Sequence, residues 1–460
     1  MSLNAFSFVL FLPLIVGINF LIPRKYRYIW LFAASYFFYL SNDVRFLAGL
    51  GACTAVTYVT GLLLEKTRGI ARRVLLTLCI CLSISLILLR YMDFESIIVP
   101  MGMSFYGLQA LGYVIDVYRN QLEAEKNPVR YALFVSFFPT VMSGPIQRGS
   151  VLLGQIREGR NFDYSRARAG LYDLLWGYLL KLVIANRLGG MVDYAFGRYE
   201  TMPGATMVWA TVLYGIQLYC DFAGYSALAI GTGKILGFDL GINFARPYFA
   251  TSIKEFWKRW HISLSSWLKN YVYIPLGGNR KGRCRKYVNL MITFLVSGLW
   301  HGAGINFLVW GALHGIYQIL GGCLPKKTDR KRGGFYRAVQ TIFTFVLVDF
   351  AWLFFRADSI SQAFVILRRI CFHFNLREMT YYGSYLLGDN RTNLLLVLVG
   401  IGLVFLVDLL CEKKISIVDV SLRVPMVVRW LVYIILTLLI LYVVVYHYGL
   451  AGTTFLYGRF

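Results

Sequence analysis

Apolar runs of membrane-spanning length recur along this chain. A helix needs about 20 consecutive apolar residues to cross a bilayer, and runs near that length lie at residues 5–22, 46–64, 304–322, 338–355 and 394–412. Charged residues make up only 15% of the sequence, against about 25% in an average soluble domain. The pattern predicts an all-α polytopic membrane protein with roughly 11 to 13 transmembrane helices, plus re-entrant and interfacial helices.

Basic residues collect in the gaps between these runs. Lys and Arg outnumber Asp and Glu by 47 to 23, and they concentrate in "RKYR" (24–27), "KTRGIARR" (66–73) and "RKGRCRK" (280–286). Because cytoplasmic loops of membrane proteins are enriched in Lys and Arg, these segments are predicted to lie in the cytoplasm, with the N-terminus outside and the chain in the plasma membrane. No basic groove accompanies the charge, so the lipid bilayer is the expected partner and nucleic acid is not.

The polar segments and the cysteines give no sign of a separate domain. The longest polar insertions are too short to fold alone, so residues 1–460 are predicted to form a single integral membrane domain. The eight cysteines show no CxxC or Cys/His spacing, and several lie inside apolar runs. Such cysteines are typical of apolar packing, so neither a structural disulfide nor a metal site is predicted.

The segment from 253 to 268 combines an apolar stripe with a basic face. The stripe has helical spacing and consists of Ile253, Phe256, Trp257, Trp260, Leu264, Trp267 and Leu268. Lys254, Lys258 and Lys269 fall on the other face. This pattern predicts one amphipathic helix in the cytoplasmic interface. His261 lies at the margin of the stripe, from which its imidazole could face an internal cavity.

His301 is the most informative ionisable residue. It follows Trp300 at the end of an apolar run, in "VSGLWHGAG" (296–304), with Gly298, Gly302 and Gly304 around it. These glycines favour close helix approach or a broken helix, and an ionisable side chain inside a membrane indicates a functional site. The alternative is a packed histidine that donates to a backbone carbonyl.

The remaining histidines fall into two groups. His314, in "LVWGALHG" (308–315), precedes a second glycine break and either packs or orients the site. His373 and His447 lie near the ends of apolar runs and are predicted to be structural. A neutral imidazole suits general-base work on a hydroxyl without a metal. The sequence contains no GxSxG, Walker or HExxH motif that would indicate another chemistry.

Two further polar features accompany the histidines. Asp221 interrupts an apolar run, and a buried carboxylate must be paired; Arg246 or Lys254 could pair with it, as a structural ion pair or as an orienter of the site, with the structural role favoured. The segment "PLGGNRKG" (275–282) predicts a Pro-Gly turn near the cytoplasmic surface. There Asn279 and Arg280 could bind the phosphate of a donor, or could simply belong to a loop.

Three stretches closely resemble the membrane-bound O-acyltransferase family: "DFAGYSALAIGTGKILGF" (221–238), "NFARPYFATSIKEFWKRWHISLSSWLKNYVYIPLGGNR" (243–280) and "SGLWHGAGINFLVWGALHG" (297–315). The resemblance is strongest to the bacterial branch of alginate and peptidoglycan O-acetyltransferases, which is related to the teichoic acid D-alanyltransferases. It covers nearly the whole chain, and residues 217–315 are the most specific part. One departure is Ala227 in "GYSALAIG", where the acetyltransferase branch usually has an acid.

The resemblance implies a mechanism as well as a fold. It implies a ring of helices around a central funnel and tunnel, with His301 as the catalytic histidine and His261 as a second polar residue of the active site. It implies no bound cofactor. The donor would be an acyl thioester that enters from the cytoplasm, either acetyl-CoA or an acyl carrier protein. The acyl group would then reach an extracytoplasmic polymer through a separate extracytoplasmic acetyltransferase.

Four functions remain open on the sequence. Acetyl transfer to a cell-envelope polymer is favoured, and D-alanyl transfer to teichoic acid from a carrier-protein thioester is the nearest alternative. A transporter or flippase for a lipid-linked glycan would explain the apolar helices and the basic interface, but not two Trp-His motifs beside glycine breaks, "LWHG" and "WGALHG". A non-catalytic scaffold would leave the histidines replaceable.

Overall fold

The computed structural model describes residues 1–88, 100–323, 333–377, 391–415, 420 and 423–443, and every regular element within them is helical. This confirms the predicted all-α class. The chain forms two compact units, each made of segments that are separate in sequence. The prediction of one integral domain over residues 1–460 stays a prediction.

The first unit comprises Met1–Gly177 and Tyr225–Ile242 among the described residues. It contains α1 (Phe6–Leu21), α2 (Arg27–Leu40), α3 (Phe46–Lys66), α4 (Gly69–Leu88), α5 (Met103–Tyr118), α6 (Pro128–Ser136), α7 (Gly149–Glu158) and nearly all of α8 (Tyr164–Tyr178). In α5 every residue from Met103 to Val117 is buried, as expected of a helix that is apolar on all sides. The Asn127 side chain caps α6 by accepting from the backbone N–H groups of Val129 and Arg130, a preferred N-cap arrangement.

The second unit comprises Tyr178–Gly224 and the described part of Asn243–Val444. It begins with a π-helical turn, Leu179–Ala185, that leads into α9 (Asn186–Gly197). The helix α10 (Gly204–Leu236) contributes its residues up to Gly224. The later helices are α11 (Ile253–Arg259), α12 (Ile262–Leu268), α13 (Gly282–His301), α14 (Ile305–Cys323), α15 (Gly334–Arg356), α16 (Ile360–Phe372), α17 (Arg391–Glu412) and α18 (Met426–Val443).

Three helices in the described part of the chain are long and apolar enough to cross a membrane: Phe46–Lys66, Gly334–Arg356 and Leu394–Glu412. Two shorter apolar helices, Phe6–Leu21 and Met426–Tyr442, accompany them. Large apolar side chains are exposed along α15, among them Ile342 and Phe343, which is the composition of a lipid-facing surface. The chain is therefore a membrane protein, while the estimate of 11 to 13 spans remains a prediction.

The prediction of one continuous helix over 253–268 is wrong. The segment forms α11 and α12, with a break at Trp260 and His261, where His261 has a left-handed backbone with φ 42°. The break arises because the chain pairs here with an earlier segment. Ala245 N–H donates to the Arg259 carbonyl and Ile262 N–H to the Asn243 carbonyl, both at 2.9 Å, and a continuous helix would use these groups internally.

The predicted apolar stripe and basic face of this segment are both present despite the break. Lys254, Lys258 and Lys269 are exposed. The buried members of the stripe are Ile253, Phe256, Trp260, Leu264 and Leu268. His261 is also buried, rather than at the margin of the stripe, because the break turns its side chain inward.

Candidate active site

His301 is the last residue of α13, directly before the short link to α14. Glycine makes close packing of these two helices possible. A Cβ atom at Gly298 would lie 2.4 Å from the Phe307 carbonyl oxygen, and one at Gly311 would lie 2.5 Å from the Phe294 carbonyl oxygen. The chain thus shows both features expected from the sequence, a close helix approach and a helix that ends beside the histidine.

A Gly298→Ala substitution is expected to lower the free energy of unfolding by about 1–3 kcal/mol, since the added methyl group must displace backbone. Thermal unfolding of the detergent-solubilised protein measures this as a lower Tm. Gly321→Ala in α14 is the matched control, because no atom lies within 4 Å of its Cβ position. Equal melting temperatures for the two variants would contradict the close helix contact.

The His301 imidazole lies in an aromatic cage and is 3% exposed. Its ring centroid is 4.7 Å from the Trp300 ring, 5.0 Å from the Trp310 ring and 5.0 Å from the Phe355 ring. All three contacts are edge-on. Such a cage fixes the orientation of the imidazole and excludes water from around it.

The structure brings His261 to the same cage. Its ring centroid lies 5.9 Å from that of Trp300 and 4.6 Å from that of Phe222. Trp300 therefore contacts both imidazoles. Two histidines that are 40 residues apart in sequence thus share one aromatic neighbour.

Asn243 is a polar contact of His261 that the sequence did not reveal. Its side-chain oxygen, Oδ1, accepts from the Ser263 N–H at 3.2 Å and from the Ser263 hydroxyl at 2.8 Å. The same oxygen lies 3.3 Å from His261 Nδ1. The only available signal was a polar residue at the start of "NFARPYF", in the motif that contains His261. Nothing in the spacing indicated that the two would meet.

His314 also contacts Trp310. The Trp310 ring centroid is 5.0 Å from that of His314, the same distance as from His301. The indole N–H of Trp257 donates to His314 Nδ1 at 3.2 Å, and His314 is fully buried. His314 thus belongs to the aromatic cluster around the other two histidines, and an orienting role for it stays a prediction.

The other two histidines differ from these three. His373 is exposed just after α16, and its backbone carbonyl accepts from Gly204 N–H at 2.9 Å. His447 lies outside the described residues.

Asp221 is buried in α10 and forms an ion pair with Lys181. Lys181 belongs to the π-helical turn, and both side chains are nearly inaccessible, at 1% and 2% exposure. The prediction that Arg246 or Lys254 pairs with Asp221 is wrong. The actual partner is 40 positions earlier, on the buried π-helical turn Leu179–Ala185.

A cluster of charges holds the segment that leads to His261. Arg259 donates to both carboxylate oxygens of Glu412, at 2.9 and 3.0 Å, and to Glu255 at 2.6 Å. Arg246, one of the predicted partners of Asp221, binds Glu412 at 3.1 Å instead. Burial raises the pKa of Glu255, but hydrogen bonds from Thr251 and the charge of Arg259 outweigh it and lower the pKa overall. This ionised cluster ties the end of α11 to α17.

Asn279 and Arg280 lie in the predicted turn, which the structure confirms. Both are exposed, and the turn uses left-handed backbone at Gly277 (φ 108°) and Gly278 (φ 56°). The Asn289 side chain anchors it by donating to the Gly278 carbonyl at 2.9 Å. This turn precedes the first residue of α13, whereas His301 is the last, so about 30 Å of helix separates them. The structure does not bring Asn279 and Arg280 to the histidines.

Comparison with known proteins shows the family to which this chain belongs. The sequence model of the membrane-bound O-acyltransferase family matches residues 121–360, which include all three clustered histidines. A probable alginate O-acetylase of Pseudomonas fluorescens is 38% identical over 370 residues, covering 79% of this chain and 73% of the relative.

Two other relatives carry different names. A peptidoglycan O-acetyltransferase of Helicobacter pylori is 34% identical over 384 residues, covering 74% of this chain and 73% of the relative. A teichoic acid D-alanyltransferase of Streptococcus thermophilus is 30% identical over 258 residues, covering 52% of this chain and 62% of the relative. The acetyl-transferring relatives therefore match more of the chain, at higher identity.

Proposed function

Because this chain belongs to the membrane-bound O-acyltransferase family, we propose that it moves an acetyl group from a cytoplasmic thioester to a hydroxyl of an extracytoplasmic polysaccharide or cell-envelope polymer. The observation that carries the proposal is the shared contact of His301 and His261 with Trp300. Two imidazoles in a buried aromatic cluster are suited to proton transfer in a site that excludes water.

His301 is the proposed general base. It takes the proton from the acceptor hydroxyl as the hydroxyl oxygen attacks the thioester carbonyl. The carbon–sulfur bond then breaks, and the departing thiolate receives the proton, so the products are an ester and a free thiol. General-base catalysis contributes about 10²–10⁴-fold to such a step, and holding both substrates in place supplies much of the rest.

His261 is proposed to position the thioester or to stabilise charge that develops on its oxygen. Trp300 would fix the two imidazoles relative to each other, because it contacts both. His314 would orient the cluster through Trp310. The proposed place of reaction is the waist of the funnel and tunnel that the family resemblance implies.

The proposed donor is acetyl-CoA, with an acyl carrier protein as the alternative. The exposed turn at Asn279 and Arg280 would hold a phosphate of the donor, remote from the reacting carbonyl. In this arrangement the basic loops face the cytoplasm, and the N-terminus lies outside the plasma membrane. A separate extracytoplasmic acetyltransferase would pass the acetyl group to the polymer.

The decisive measurement is thioester consumption by the purified full chain in liposomes. We expect free CoA to be released from acetyl-CoA at a rate that rises with the amount of protein and with an added hydroxyl acceptor. Empty liposomes give the background rate. Movement of a lipid-linked glycan without release of CoA would establish a transporter instead, and absence of both would leave a scaffold.

D-alanyl transfer is the second candidate, and Ala227 is the residue that favours it. The acetyltransferase branch usually has an acid at this position of "GYSALAIG". The same liposomes decide between the two donors: a D-alanyl carrier-protein thioester should be consumed slowly, if at all, next to acetyl-CoA. The reverse preference would assign the chain to D-alanyl transfer.

A further inference from the structure

We propose that Asn243 is a positioning residue that holds the His261 imidazole in the tautomer with its proton on Nδ1, so that Nε2 is a hydrogen-bond acceptor. The mechanistic consequence rests on the proposed function, whereas the tautomer itself rests on geometry alone. Asn243 would then act through His261 and would not touch the reacting atoms.

The first step concerns which atom of Asn243 faces His261. The backbone N–H of Ser263 can only donate, and it lies 3.2 Å from the Asn243 side-chain atom assigned as Oδ1. An amide nitrogen at that position would face another donor, so the atom must be the carbonyl oxygen. The hydroxyl of Ser263, at 2.8 Å, adds a second donor to the same oxygen.

The second step concerns His261 itself. Its Nδ1 lies 3.3 Å from that carbonyl oxygen, and an oxygen that only accepts requires a donor opposite it. His261 Nδ1 must therefore carry a hydrogen. Because a neutral imidazole has one N–H group, Nε2 is then left with a lone pair.

The local backbone makes this contact durable. Asn243 is 0% exposed, and its own carbonyl accepts from Ile262 N–H at 2.9 Å. The left-handed backbone of His261 is a conformation that a residue with a side chain rarely adopts, and it persists only where the surroundings determine it. Backbone pairing on both sides of His261 and the side-chain contact with Asn243 supply that determination.

His314 provides an internal contrast. The indole N–H of Trp257 is only a donor, and it points at His314 Nδ1 from 3.2 Å. His314 Nδ1 must therefore be the acceptor, and its proton lies on Nε2. The two buried imidazoles are therefore held in opposite tautomers, His261 by the Asn243 oxygen and His314 by the Trp257 N–H group.

The tautomer narrows the role of His261 in acyl transfer. A neutral His261 cannot donate from Nε2 to the oxygen of a thioester. It can accept the hydrogen of a hydroxyl or thiol group, and it can donate to an oxyanion only after gaining a proton. Of the roles proposed above for His261, the tautomer therefore excludes a hydrogen bond from neutral His261 to the thioester oxygen, and it leaves acceptance from a hydroxyl or thiol group.

Solid-state NMR of the full chain in liposomes tests the tautomer without any catalysis. The chain contains only five histidines, so ¹⁵N-histidine labelling gives few signals, and His261→Gln and His314→Gln identify two of them. At a pH where the imidazoles are neutral, we expect protonated Nδ1 for His261 and protonated Nε2 for His314. A proton on Nε2 of His261 would overturn the proposal, and this holds whether or not the chain transfers acetyl groups.

Variants of Asn243 connect the tautomer to activity. Asn243→Asp keeps the acceptor and should keep the Nδ1 proton, whereas Asn243→Ala should lose that signal. Ser263→Ala is the matched control, since it removes one donor to Asn243 and leaves the contact with His261. If the CoA-release assay is active, kcat should fall about 10–100-fold in Asn243→Ala, with KM little changed.

The outcomes of that series all bear on the proposal. Retention of the Nδ1 signal in Asn243→Ala would show that another group sets the tautomer. An equal loss of kcat in Ser263→Ala would show that Asn243 acts through the α12 backbone and not through the imidazole. If Asn243→Ala does not fold, the wild-type spectrum and Asn243→Asp still decide.

Discussion

A His301→Ala variant should insert and fold like the parent chain but lose O-acetylation of the envelope polymer, with a rate at least about 10²–10⁴-fold lower. The imidazole is the proposed base, and an alanine can neither accept the hydroxyl proton nor return it to the thiolate. The measurement is the ester content of the polymer in cells that depend on this chain, together with release of CoA in liposomes.

The controls for His301 separate chemistry from packing. His301→Gln fills much of the aromatic cage, so it should melt like the parent chain and still be inactive. His373→Ala removes a histidine that is exposed beyond α16 and should change neither quantity. Wild-type ester content in the His301→Ala strain would remove the proposed mechanism.

The second large effect is expected at Lys181. A Lys181→Met substitution should lower the free energy of unfolding by about 3–5 kcal/mol, because it leaves the Asp221 carboxylate buried without its partner. Thermal unfolding of the purified protein in detergent measures the loss. Replacing both residues, as in Lys181→Met with Asp221→Leu, should recover most of it, since an apolar pair of similar volume removes the uncompensated charge.

A half-buried ion pair provides the comparison. Lys234 and Asp173 are 2.7 Å apart, with side chains 36% and 31% exposed, so Lys234→Met should lower the free energy of unfolding by less than Lys181→Met does, because water still reaches both charges. The activity of the double variant at Lys181 and Asp221 then separates two roles. Activity retained supports a structural ion pair, and activity lost from a stable protein supports an orienter of the site.

The sequence predicts those parts of the fold and the site that depend on residues close together in the chain. Hydropathy and helical spacing are local properties, and they gave the all-α class, the buried stripe of 253–268 and its exposed lysines. The glycines around His301 are also local, and they indicated the close contact of α13 with α14. The motif around His301 pointed to the histidine itself.

The failures were all long-range. Helical spacing continues through Trp260 and His261, but the backbone pairs with residues 243–245 and breaks the helix there. Asp221 needed a cation, yet the one that reaches it lies on a distant π-helical turn. Asn243 carried no local signal of its contact with His261. In each case a contact between residues distant in sequence decided the structure, and the local sequence pattern could not reveal that contact.

The unbroken helix α13 joins the Arg280 turn at one end to His301 at the other. A stiff rod of this kind would hold the proposed donor-binding turn at a fixed distance from the proposed base. Substitutions at the turn would then alter binding of the donor without disturbing the geometry of the imidazole. This separation would allow the acylation reaction to stay the same while the part of the donor that binds at the turn is changed.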